Sequence, residues 1–327
     1  MDTINFCNFH EQETRNREVT EKIEQWIYSD ALKRILATFG VTMPVYSNLR
    51  DAIGWLLQFS DEWDYRGKQH LARDKKTNEA ARWLVNDEVI TDEQDKAVKE
   101  GIPLLGLIGI DTPFGKDYDY VIALGGARLS CLLRPRYAQQ VIEQYSINPK
   151  AVIMLSGFRP IGDSEREATD TYAKNAVSEY DLICAGAEKC FDLEQFKEER
   201  YDSENLNLSW AVRVYEGVPP VICISAPSTE PDKRRANSAD TYKFFFEKYD
   251  VKENTKILLV TSQIYVPYQQ LEAIRTLSLP YGVKMETIGF PNEWSGNMQG
   301  MQQASNYLQE IRSTIQAMDR FLKAIEV

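Results

Sequence analysis

Just past a short apolar run, the chain places Glu230, Arg234, Arg235, Asn237, Ser238 and Asp240 in one polar stretch. Guanidinium groups match phosphate and carboxylate geometry with paired hydrogen bonds, so Arg234 and Arg235 can hold an anion. Glu230 beside them can take a proton or activate water once solvent is excluded. Read without a ligand, the stretch is a solvated loop in which Asn237 or Ser238 caps the next helix. Three other stretches repeat the pattern, which favours a site. Gly125-Gly126-Ala127-Arg128 offers glycines that let a ligand approach and amides that can nest an anion. It lacks the G-x-G-x-x-G spacing of a dinucleotide loop. Ser156-Gly157-Phe158-Arg159 precedes Ser164, Glu165 and Glu167. Ser164 and Glu167 have capping-box spacing, which leaves Glu165 as the second candidate base. Thr261, Ser262 and Tyr265 complete the set.

Each stretch follows an apolar, β-branched run and precedes an amphipathic segment. Strands are expected over residues 118–125, 151–156, 220–225, 256–261 and 283–288. Helices are expected over 136–145, 165–180, around 244–246 and over 266–277. That alternation implies an α/β domain: a Rossmann-like, mostly parallel sheet of about five strands with helices on both faces. Its carboxyl edge would gather the four polar stretches, where open α/β sheets bind ligands. Residues 181–217 read as an irregular, acidic excursion with some helix. Residues 1–112 read as an all-helical cap, with a capping box at Thr91 and Gln94. The α/β domain then runs from 113 to 327 and ends in a long amphipathic helix, Ala304 to Ile325, that docks on the rest.

Composition narrows the function. A net charge of −11 argues against binding to nucleic-acid backbone or anionic membrane, and makes local arginine clusters more informative. The five cysteines are odd in number and form no C-x-x-C pair, as expected of reduced thiols in a cytoplasmic protein. His10 and His70 are the two histidines. A histidine metal site or a Ser-His-Asp triad in the main domain is therefore excluded. No stretch is apolar enough to serve as a signal peptide or membrane span.

From about residue 118 to 290 the chain resembles the YdcF-like family (the group that includes SanA- and ElyC-like proteins), bacterial Rossmann-like proteins of largely undefined biochemistry. The resemblance is carried by Leu124-Gly125-Gly126, Arg136, Ser156-Gly157 with a following Glu, Glu230 ahead of Asn237-Ser238, and Val260-Thr261-Ser262. Where that family usually has a His and then an Arg, this chain has Tyr265 and Tyr268, and Thr241 stands at the family's later Asn. The resemblance implies the fold and loses an imidazole base, so acid–base work falls to carboxylates or a tyrosine.

The expected function is that of a small-molecule enzyme, a hydrolase or group transferase, binding a phosphorylated or nucleotide-like anion. Gly125, Gly126, Ala127 and Arg128 cradle the anion, and Arg136 and Arg235 clamp it. Ser156, Gly157, Asn237, Asp240, Thr261, Ser262 and Tyr265 line the pocket, and Glu230 or Glu165 moves the proton. The alternative is a non-catalytic sensor of the same ligand class, with S-adenosylmethionine a conceivable ligand. In the cap, Trp63 and Arg66 can fold over the ligand. The competing view makes Trp63 a packing residue with Arg66 paired to Asp61 or Asp64, and His70 lacks partners for a metal.

Overall fold

The computed structural model describes residues 3–6, 11–65, 90–298 and 302–326. Seven strands form one sheet: β1 (Tyr120–Leu124), β2 (Ala151–Ser156), β3 (Phe196–Tyr201), β4 (Trp210–Tyr215), β5 (Val221–Ser225), β6 (Lys256–Ser262) and β7 (Lys284–Phe290). Their order is β3-β4-β5-β2-β1-β6-β7. The five expected strands are present and mutually parallel. The count of about five is corrected to seven, because β3 and β4 lie within residues 181–217 and pair antiparallel beyond β5. Every residue of β3 is exposed. It therefore lacks the apolar alternation that marks a half-buried strand.

The chain steps outward from β1 to β2 and β5, then returns to place β6 on the other side of β1. That reversal makes the carboxyl ends of β1 and β6 a topological switch point, the usual ligand position in such sheets. One face of the sheet is covered by α5 (Ser130–Gln144) and α7 (Glu179–Phe191), and the opposite face by α8 (Ser238–Tyr249). Helix α5 begins six residues before the expected start at Arg136. The helix expected over 165–180 is two: α6 (Arg166–Ala173) ends early and Ser178 caps α7. Pro135 cannot donate to the Cys131 carbonyl one turn back. Gly186 of α7 packs against that carbonyl so tightly that a Cβ there would sit 1.9 Å from it.

The N-terminal helices are α1 (Arg15–Ile27), α2 (Asp30–Thr38), α3 (Leu49–Ser60) and α4 (Asp92–Gly101). Ser29, Asn48 and Thr91 cap α2, α3 and α4, the last with the expected capping box to Gln94. Their apolar faces share one core with α9 (Val266–Ala273) and α10 (Ala304–Ile325), through Ile23, Trp26, Leu32, Leu56, Leu308, Ile311 and Phe321. The last helix thus docks among the N-terminal ones. The link between the two parts runs along β7: Gly289 N–H donates to the Ile110 carbonyl, and Phe114 N–H to Glu286.

Candidate functional site at the carboxyl edge

Strand pairing places four polar-stretch residues on a single rung. Ser156 is opposite Ser225, and continuing the pairings Leu124↔Leu155 and Ala123↔Val260 brings Gly125 beside Ser156 and Ser262. Gly125 N–H donates to the Leu155 carbonyl at 2.6 Å, which confirms that the ladder reaches this rung. Side chains alternate along a strand. Ser225, Ser156 and Ser262 each stand two residues beyond Cys223, Met154 and Val260, so all three share the α5/α7 face. At the centre of the rung Gly125 is closely packed, and only a glycine fits there. A Cβ there would meet Glu179 Oε1, Ser156 Oγ and the Leu155 carbonyl within 3 Å.

Over this rung lies Arg134, from the first turns of α5. Its guanidinium donates to the Leu124 carbonyl at 3.1 Å and to the Gly125 carbonyl, and from Nε and Nη2 to Ser262 Oγ at 3.4 Å. The Tyr265 ring lies 5.6 Å away. Arg134 therefore bridges the carboxyl ends of β1 and β6. It is 6% exposed, and no carboxylate pairs with it among the described residues. Burial pulls it down from the ordinary guanidinium range. The charge of Glu179 opposes that pull without pairing directly, and a buried cation lacking a direct ion pair is costly unless an anion joins it.

Arg136 was the expected clamp, but it stands on the exposed outer face of α5 with its guanidinium 5.4 Å from the Trp294 ring. Helix geometry explains the exchange, because residues two apart point to nearly opposite sides. Arg134 carried a readable signal only if the helix was started at Ser130.

The expected bases are committed elsewhere. Glu165 is wholly buried and forms a two-bond pair with Arg159 at 2.6 and 3.0 Å, while accepting the Gly162 and Arg128 amides. Burial alone would raise its pKa, but Arg159 and the two amides hold it below the usual carboxylate range. It fills the structural role expected of Glu167. Glu230 is exposed and paired with Lys233 at 2.9 Å and Arg234 at 3.0 Å, which hold it low. Asp240 is buried at the start of α8, where it binds Arg234 and Thr229 and closes a capping box with Asn237. Asn237 and Asp240 thus shape the helix start. Arg235 is exposed.

Arg128 takes a left-handed backbone at φ +53°, costly for a non-glycine residue, and its buried Nε has no partner among the described residues. Ala127 and Gly126 complete this turn; a Cβ at Gly126 would lie 3.1 Å from Arg134. Glu179 was not foreseen. It receives Arg159 Nε at 2.8 Å on one oxygen and Ser156 Oγ at 3.3 Å on the other, beside Gly125. Gly157 follows, its carbonyl accepting Tyr180 N–H.

Trp63 is fully buried between Phe39 and Phe59, at 5.5 and 5.2 Å, and does not face the site. Asp61 and Asp64 meet Arg312 of α10. Arg66, His70, His10 and Cys7 lie outside the described residues. Among the described residues no His, Cys, Asp and Glu group is placed to hold a metal, and no helix is long and apolar enough to cross a membrane. A hollow of about 600 Å³ lies at the opposite, amino edge of the sheet, between Asp119, Asn148 and Lys256. Asp119 there is already paired with Lys150.

Residues 10–106 match the family model described as the Rv3785 N-terminal domain. The chain is 31% identical over 326 residues to the uncharacterised protein Rv3785 of Mycobacterium tuberculosis, covering 94% of this chain and 90% of that protein. The same figures hold for the uncharacterised protein Mb3814 of Mycobacterium bovis. No solved structure matches the chain. On this likeness across nearly its full length, the chain belongs to the family of the mycobacterial protein Rv3785.

Proposed function

We propose that the protein binds a small phosphorylated or nucleotide-like anion at the carboxyl ends of β1 and β6, with Arg134 as its charge anchor. The observation that carries this is a buried guanidinium bridging the two strand ends with no carboxylate partner among the described residues. The serine rung, the Gly125-Gly126 turn and the Tyr265 ring surround it. The resemblance to the YdcF-like family over residues 118–290 supports the same edge. Commitment of Glu165 and Glu230 to cations favours a binding or sensing role over the hydrolase or transferase reading.

The enzyme reading keeps one specific support, the carboxylate of Glu179 beside Ser156 on the rung. There it would take a proton from water as the water oxygen bonds to phosphorus and the ester P–O bond breaks, solvent protonating the leaving oxygen.

Thermal-shift titration with nucleotides, sugar phosphates and S-adenosylmethionine tests binding, together with mass spectrometry of molecules released on denaturation. Arg134→Met should weaken anion binding by about 1.5–3 kcal/mol, the worth of a charge-assisted contact. Equal binding by wild type and variant would place the site elsewhere. Turnover of any bound phosphate ester that vanishes in Glu179→Gln would establish the enzyme reading.

A further inference from the structure

Two buried hydroxyls lie just beneath the carboxyl ends of β1 and β6, on the sheet face opposite the serine rung. Tyr242, on α8, is 1% exposed, and Thr261, near the end of β6, is fully buried. Neither hydroxyl has a hydrogen-bond partner among the described residues. Buried polar groups are nearly always paired, and an unmade bond of this kind is costly.

Both occupy the same corner. Tyr242 packs in the cluster that holds Leu124, Leu155 and Leu259, on the sheet face opposite the serine rung. Thr261 stands two residues beyond Leu259, hence on that face, and one step past Ala123↔Val260 it is opposite Leu124. Arg134 binds the Leu124 carbonyl from above. The charge of Arg134 also acts on Tyr242, opposing the upward push of burial on the phenol. Tyr268 and Glu272 of the neighbouring α9 segment face the same phenol, and Glu272 is committed to Arg275 and Arg320.

We propose that the Tyr242 and Thr261 hydroxyls form a second subsite beside Arg134, and that the ligand is a phosphate ester bearing sugar-type hydroxyls. This rests on the anion-binding reading above. A phosphate alone satisfies Arg134 but leaves two hydroxyls unmatched across the strand end. A polyol supplies donors and acceptors together, and so meets a phenol and a threonine in one pose. A site built to hydrogen-bond a hydroxyl rejects the analogue that lacks it, because its own buried groups are then left unpaired. A free sugar phosphate and a nucleoside phosphate share this chemistry.

Calorimetric titration of the full chain with inorganic phosphate, ribose 5-phosphate, 2-deoxyribose 5-phosphate and adenosine 5′-monophosphate tests the proposal. Wild type should bind ribose 5-phosphate at least about tenfold more tightly than inorganic phosphate, and the deoxy sugar more weakly than the ribose. Tyr242→Phe and Thr261→Val should each erase about tenfold of that preference while inorganic phosphate binds as before. Their melting temperatures without ligand should stay level or rise. Tighter binding of the monophosphate than of ribose 5-phosphate would mark a nucleoside ligand, and the reverse a free sugar phosphate; either result upholds the subsite. Ribose 5-phosphate binding unaltered in both variants, or no preference in wild type, would overturn it. Unaltered inorganic phosphate binding by Arg134→Met, or no phosphate binding by wild type, would instead remove the anion site on which it rests.

Discussion

The Glu165 carboxylate accepts the backbone N–H of Arg128 at 2.9 Å, while its other contacts hold Arg159. Tyr172 donates to the Arg128 carbonyl at 3.1 Å, so the strained left-handed residue is gripped from both sides. The glycine turn over the site is therefore fixed by a buried ion pair on the next loop.

Breaking that grip should cost stability first. Glu165→Ala leaves Arg159 buried with Glu179 as its remaining carboxylate, and should destabilise the fold by about 3–5 kcal/mol. Because the folded-state pKa of Glu165 is depressed, its contribution is present above the unfolded carboxyl value and lost as pH falls through the lower folded value. Urea midpoints measured from pH 6 to 2 should show an acid-side loss in wild type that the variant lacks.

Glu286 should act with the opposite sign. It is fully buried on β7 and accepts the Phe114 amide at 2.8 Å and the Tyr118 hydroxyl. Burial pushes its carboxyl up to about 7, with those two bonds opposing. A raised folded value gives stability that is full below the unfolded carboxyl pKa and lost as pH rises through about 7. Glu286→Gln should therefore flatten the stability profile from pH 5 to 8. An unchanged slope in denaturant midpoints would show that the carboxyl stays ionised throughout.

Arg136→Ala separates the two arginines of α5. It should leave anion affinity unaltered and cost about 0.5–1 kcal/mol for the lost contact with Trp294. Parallel titrations of the Arg134 and Arg136 variants give the comparison.

Gly186→Ala should be far more damaging than an ordinary glycine substitution. The new methyl would collide with the Cys131 carbonyl, forcing α5 and α7 apart. A loss of roughly 3 kcal/mol or complete failure to fold is expected, at the upper end of overpacking costs. Circular dichroism melts compared with Gly157→Ala, where nothing lies within 4 Å, make the test.

The parallel strands were readable because Val121 and Ile122, or Leu258 and Leu259, are buried on both faces and must be continuously apolar. Strand β3 was not: Lys197, Glu198, Glu199 and Arg200 sit on an exposed edge, where charge suits a strand that must not recruit others. At the site, the gathering of arginines and glycines on one edge was legible, but the choice among arginines was not. A helix read from Arg136 instead of Ser130, six residues late, makes Arg136 the clamp and passes over Arg134, which lies two residues away on the opposite side of the helix. The grip of Glu165 on the Arg128 amide was equally hidden, since it requires the sheet to bring separate loops together.

Helix α10 fills the core of the N-terminal helices, and that sets a constraint on the order of synthesis. When residues 10–106 have left the ribosome, Ile23, Trp26, Leu32 and Leu56 still lack Leu308, Ile311, Ile315 and Phe321 as neighbours. The first part of the chain to be made is thus the last to be finished. In the interval it presents a wet apolar groove that a chaperone, or another nascent chain, can occupy. Residues 10–106 expressed alone should melt without cooperativity, and a peptide of Ala304–Ile325 added in trans should restore a transition.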